Sequence, residues 1–148
     1  MEYQVEVRTV TSQTTAVVHC LASLAELSTV LPRACGEVWA FIRSAGLPRP
    51  GRNLALYLDD VFHIECGVEM AKSFTGNERI VCSSTPAGIA ATAIHLGPYS
   101  RLVEAHTAIR AWCSANGKVL AGPAWELYDH WNDDPAQLRT DVYYLLKG

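Results

Sequence analysis

The 148-residue chain is 49% hydrophobic and 18% charged, with a formal net charge of −3. That balance suits one folded α+β domain with its own core and excludes a disordered or linker-like chain. Its twelve Lys and Arg are scattered and not striped along one face, so no basic footprint for a phosphate backbone is present and direct nucleic-acid binding is not expected.

Gln4 to Val10 alternates apolar with polar residues, and Thr14 to Cys20 is a second β-rich run; both read as strands. Ser23 with Glu26 three residues later has the capping-box spacing. Pro32 sits too deep for one uninterrupted helix, so a short turn near 24–28 and a main helix over about 31–45 are predicted, ended by Gly46. Leu47-Pro48-Arg49-Pro50-Gly51 is a loop, and Asn53–Leu58 and Phe62–Met70 form a hairpin around Asp59-Asp60. Ile80–Cys82 and Gly88–His95 add two strands. Gly97-Pro98-Tyr99-Ser100 then opens a helix whose Leu102, Ala105, Ile109 and Trp112 share one face, with Gly117 as its stop. Trp125–Tyr128 and Thr140–Leu146 make the last pair of strands.

No stretch approaches the roughly 18 consecutive apolar residues of a membrane span, and the start is a strand pattern and not a signal peptide. A soluble cytoplasmic protein is expected. Cys20, Cys35, Cys66, Cys82 and Cys113 form no C-x-x-C pair and read as reduced core or near-core residues.

A constant shift of 71 positions carries Leu31, Ala34, Val38, Phe41, Gly46, Gly51 and Tyr57 onto Leu102, Ala105, Ile109, Trp112, Gly117, Gly122 and Tyr128. The chain therefore reads as a duplicated β-α-β-β unit, with pseudo-repeats of about 1–75 and 76–148. Antiparallel pairing about a pseudo-two-fold axis would put the helices on one face and leave a helix-free surface with a central cleft.

Strand alternation predicts what lines that surface. Leu54, Leu56 and Leu58 are apolar enough to lie under the helix, leaving Ala55 and Tyr57 on the other side. By the same rule Trp125 and Leu127 pack inward while Glu126 and Tyr128 face the cleft. In the next strand Ile64, Cys66 and Val68 face the helix, and His63 and Glu65 face away. The expected cleft thus gathers Tyr57, His63, Glu65, Glu126 and Tyr128, with Trp39, Trp112 and Trp125 nearby. Ala55 and Glu126 occupy equivalent positions, so the carboxylate belongs to a site and not to the repeat. Aromatic faces beside a half-buried carboxylate suit an apolar, aromatic or cationic small molecule.

Neither H-E-x-x-H nor H-x-x-x-H spacing occurs, so no metal is expected. The glycine-rich nucleotide loops and the G-x-S-x-G elbow are missing too. No cofactor is predicted.

The stretch Ala93-Ile94-His95-Leu96-Gly97-Pro98-Tyr99, followed by Ala121-Gly122-Pro123-Ala124-Trp125-Glu126-Leu127-Tyr128 and an ending with Asp134-Pro135 and Leu138-Arg139-Thr140-Asp141-Val142-Tyr143-Tyr144, resembles the GyrI-like (gyrase-inhibitor-like) effector-binding domains. The resemblance implies a duplicated strand-helix-strand-strand fold with an aromatic cleft, and identifies Glu126 as its buried polar contact. It implies a stand-alone member, since 148 residues leave no room for a helix-turn-helix. Three functions stay open under it. One is a sensor or sequestering module for aromatic or cationic hydrophobic compounds. Another is a hydrolase opening cyclopropane-containing natural products, with Glu126 as general base and Tyr128 or Tyr57 assisting. The last is a protein-interaction module with a separate protein partner or a second copy of the chain.

Overall fold

The computed structural model describes residues 3–22, 24–58, 63–129 and 132–148, with the backbone alone for 24, 25, 27 and 28. Strands β1 (Glu6–Val10) and β2 (Thr14–Leu21) precede helix α1 (Leu24–Ala45), which leads to β3 (Asn53–Tyr57) and β4 (His63–Glu69). The second half repeats the pattern: β5 (Ile80–Ser84), β6 (Gly88–Leu96), α2 (Leu102–Ala115), β7 (Leu120–Tyr128) and β8 (Arg139–Leu146). Ser23 and the Asp59-Asp60 turn lie outside the described residues.

All pairings are antiparallel, in the order β1-β6-β8-β7-β3-β4-β2-β5. Exchanging each strand with its counterpart in the other half reverses this order onto itself, so the sheet has a two-fold at the β3–β7 seam. The outer strands are traded across it. β1 pairs with β6 of the second unit, and β5 pairs with β2 of the first. Each half therefore completes the sheet of the other.

The first helix differs from expectation. α1 runs unbroken from Leu24 to Ala45 with Pro32 inside it, and not as a turn followed by a helix. An interior proline loses a hydrogen bond and costs about 3 kcal/mol. Apolar contact on both sides of it offsets that cost: Val30 and Leu31 ahead, Ala34, Val38 and Ile42 behind, all pack on the β2/β4 side. α2 buries Leu102, Ala105, Ile109 and Cys113. A short 3₁₀ turn, Tyr99–Arg101, precedes it, and Gly117 follows it at φ 68°. Only glycine takes that conformation freely, which is why the helix stops there.

Both faces of the sheet are buried. On the helix side Ala55, Ile64, Cys66 and Val68 lie under α1, and Ala91, Ala93, Ala124 and Val142 lie under α2. The other side gathers Val17, Leu54, Leu56, Ala90, Trp125 and Leu127, together with Val10 of β1 and Val81 of β5. β1 and β5 stand at opposite ends of the strand order, so their membership of one cluster shows that the sheet curls over this face. Leu54, Leu56, Trp125 and Leu127 thus line the inside of the curl and not the underside of the helices. Ala55, Tyr57, Glu126 and Tyr128 face the helices instead, which inverts the predicted sides for β3 and β7. β4 follows the prediction.

Candidate functional site

Glu126 lies at the symmetry centre. The seam pairs Asn53 with Tyr128, Ala55 with Glu126 and Tyr57 with Ala124. The same shift of 71 that relates the repeats maps Asn53 to Ala124, Ala55 to Glu126 and Tyr57 to Tyr128. Ala55 and Glu126 are therefore both equivalents and direct neighbours, and the pseudo-axis passes between them. Two small strand residues at that point would have satisfied the fold; one copy carries a carboxylate that is 2% exposed.

Its oxygens are occupied by groups from three elements. Tyr57 donates its hydroxyl to Oε1 at 2.8 Å, and the symmetry-related Tyr128 hydroxyl donates to the same oxygen. His106 of α2 places Nε2 2.5 Å from Oε2. Behind it, His106 Nδ1 lies 2.7 Å from the Tyr144 hydroxyl, which also takes a bond from Arg110 Nη1 at 2.7 Å. Arg110 can only donate to the Tyr144 oxygen, and with a neutral imidazole the Tyr144 proton goes to Nδ1 and the ring proton to Glu126, a tautomer assigned from its partners. Donation runs one way, from exposed Arg110 through Tyr144 and His106 to the buried carboxylate.

Burial, followed by the charge of Glu126, holds the Tyr57 and Tyr128 phenols well above their ordinary pKa of 10.0. Both remain protonated donors at neutral pH. Burial also raises Tyr144, with Arg110 opposing. Burial pushes the Cys35 thiol up to about 12 and raises that of Cys66, which keeps both protonated at neutral pH. Among the described residues no three His, Cys, Asp or Glu side chains come together as a metal site.

Of the predicted residues, Glu126, Tyr57 and Tyr128 form one unit. Trp39 is half-buried on α1, donating Nε1 to Asn53 Oδ1 at 2.8 Å, and Trp112 packs beside the α2 cluster. Glu65, His63 and Trp125 are not part of this group. Glu65 faces the inner curl, where it meets His19 Nε2 at 2.8 Å and Ser83 Oγ at 2.9 Å. His63 lies exposed on the same side at the start of β4. Trp125 stacks on Tyr143 inside the curl, with centroids 5.2 Å apart and planes 8° from parallel. Sequence reasoning missed His106, Tyr144 and Arg110. A signal for two of them existed, since the shift of 71 sets His106 against Cys35 and Arg110 against Trp39. The polar chain thus comes from the second repeat, and the first supplies apolar counterparts.

A separate surface hollow of about 490 Å³ is lined by residues including Glu37, Phe41, Asn77 and Arg79. Arg79 there is already paired with Glu37 at 2.9 and 3.0 Å, so the hollow offers no unspent buried anchor. The buried carboxylate is the better candidate.

The sequence profile of the GyrI-like small molecule binding domain matches residues 3–147. The chain belongs to this family. Among solved structures, the GyrI-like chain is similar to the C-terminal domain of EcmrR, with a TM-score of 0.79 at 21% identity, covering 99% of each chain. It also matches SAV2435 bound to tetraphenylphosphonium, with a TM-score of 0.70 at 12% identity, over 100% of this chain and 95% of that one. A hydrolase from Listeria innocua matches with a TM-score of 0.63 at 12% identity, over 97% and 92%. In an EcmrR–DNA complex the likeness spans 57% of the longer chain. No curated protein matches by sequence. Among the described residues no helix is long and apolar enough to cross a membrane.

Proposed function

We propose that this GyrI-like domain captures an aromatic or cationic hydrophobic molecule on the helix side of the β3–β7 seam, with Glu126 as anchor and Tyr57 and Tyr128 as its aromatic walls. One observation carries the reading: a buried carboxylate occupies the pseudo-axis where the other repeat has alanine. Burying a charge is costly unless it is paired, and the fold does without it at Ala55. The tetraphenylphosphonium complex of SAV2435 supports a lipophilic cation as one ligand class. Titration with lipophilic cations and neutral aromatics should change tryptophan fluorescence through Trp39 and Trp112. Glu126→Gln should weaken the cations about tenfold or more, because it removes the charge that faces them. Equal binding by Glu126→Gln would remove Glu126 from the anchor role.

The protonated Tyr57 and Tyr128 phenols favour a second reading, hydrolysis of a strained electrophilic ring, in which they protonate the leaving group while Glu126 draws a proton from water. A carboxylate has about four acceptor positions, and three donors already address Glu126. Either reading needs one donor to give way, and binding is preferred because the family profile is that of a small molecule binding domain. Prolonged incubation with a cyclopropane-containing substrate decides between them: a hydrated, ring-opened product lost in Glu126→Gln would establish the enzyme.

A further inference from the structure

We infer that His106 is a built-in occupant of the anchor, and that the ligand of this domain carries an N–H donor that takes over Glu126 Oε2 when the imidazole swings aside. The inference rests on small-molecule capture at Glu126 and adds the class of head group and the residue that selects it.

At 2% exposure Glu126 cannot be reached unless one of its donors moves. Tyr57 and Tyr128 project from adjacent strands at the seam and are held in both helix-side clusters. All three donors are partly exposed, but His106 projects from α2 and not from a paired strand, and its side chain is 14% exposed against 3% for the carboxylate, so its ring is the donor that can swing aside without disturbing the seam. Its ring presents a flat N–H to Oε2 at 2.5 Å. A molecule that replaces it must restore a hydrogen bond to a buried charge. An ammonium or amidinium does so, whereas a quaternary or phosphonium cation brings charge without a donor. The Tyr144–Arg110 pair behind the ring holds it in place, which raises the cost for any ligand that offers no exchange. The repeat asymmetry supplies the rest of the shape. Cys35, Trp39 and Ala55 stand where the second repeat has His106, Arg110 and Glu126, so an N–H head at the second repeat is matched by an apolar, aromatic body at the first.

Two probes of similar aromatic character separate the possibilities: biphenyl-4-carboxamidinium, which has N–H donors, and tetraphenylphosphonium, which has none. Each is titrated by tryptophan fluorescence into wild type, His106→Ala and His106→Gln, whose folding is checked by circular dichroism. Wild type should prefer the amidinium by about tenfold or more, matching one hydrogen bond to a charged group. His106→Ala should bind the phosphonium about tenfold better than wild type does. His106→Gln, which keeps an N–H near the Nε2 position, should restore the discrimination. Equal phosphonium affinity in wild type and His106→Ala, or no amidinium preference in wild type, would overturn the role of His106 and leave capture at Glu126 standing. Binding of neither probe to any folded variant would count against both.

Discussion

Tyr57 and Tyr128 donate to one oxygen of one buried carboxylate from symmetry-related positions, which makes their removal a quantitative test of the site. Tyr57→Phe and Tyr128→Phe each delete a single hydroxyl and keep the ring. A hydrogen bond to a charged group contributes about 1.5–3 kcal/mol, so each variant should lose that much in urea denaturation followed by far-UV circular dichroism. After either single change the remaining tyrosine still satisfies Oε1. After both, the oxygen is buried without a phenol donor, so the double variant should lose more than the two singles combined, by roughly 0.5–3 kcal/mol of coupling. In a Glu126→Gln background each tyrosine change should shrink toward the roughly 0.5–1.5 kcal/mol of a neutral bond. Single losses below about 0.5 kcal/mol, or strict additivity, would refute the picture of two donors converging on an ionised carboxylate.

Alkaline titration of the phenolate absorbance gives a second test. Folded-state pKa values of Tyr57 and Tyr128 above 10.0 mean that the unfolded chain loses these protons first, so their contribution is intact below pH 10 and declines as pH rises through the folded values. Both should ionise last among the tyrosines, and earlier in Glu126→Gln, because the carboxylate charge is a cause of their shift second only to burial. At Gly67 an added Cβ would sit 1.9 Å from the Ala16 carbonyl oxygen, with neighbouring backbone atoms at 2.8 Å. Backbone on the paired β2 strand cannot give way cheaply, so Gly67→Ala should cost more than about 3 kcal/mol, read as a fall in the urea midpoint or as insoluble protein. Pro32→Ala should act the other way, raising stability by about 1–3 kcal/mol if the proline is a tolerated defect of α1; a loss would show that its constraint is needed.

Most of the architecture was legible because it is repeated. The glycines at 46 and 117 end both helices, and one shift aligns the helices and the seam strands, so the duplicated unit and the special position of Glu126 could be read without coordinates. The expected break between a turn near 24–28 and a main helix over about 31–45 is absent, because residues on both sides of Pro32 are buried against the same strands. His106 and Arg110 were passed over because a lone histidine on an amphipathic helix has no local signature. Comparison across the repeat carries the signal instead: Cys35 against His106 and Trp39 against Arg110 are changes of chemical kind, as is Ala55 against Glu126. Tyr144 gave less warning, because β8 aligns with β4 only under a different offset set by the longer β7–β8 connection. Its counterpart by pairing register is Val68.

The inverted faces of β3 and β7 have a more instructive cause. Apolarity could not decide the sides, since the curled sheet buries Leu54, Leu56, Trp125 and Leu127 as completely as a helix would. Register could have decided them. The prediction put Leu54, Leu56 and Leu58 on the same face as Ile64, Cys66 and Val68, which pairs even-numbered residues with even-numbered ones and requires an odd number of loop residues. Leu58 instead bonds His63, and Ala55 pairs with Cys66, leaving the four positions 59–62 between the strands. An even loop pairs odd with even, and a one-residue change in register exchanges every side chain between faces. Once Cys66 is placed under α1, Ala55 and Tyr57 must join it, and through the seam so must Glu126 and Tyr128. That puts the carboxylate within reach of a side chain on α2, where His106 meets it, and separates it by the thickness of the sheet from Glu65. The parity of one hairpin therefore determines which of the two glutamates buried among the described residues, Glu65 or Glu126, lies beside the helices.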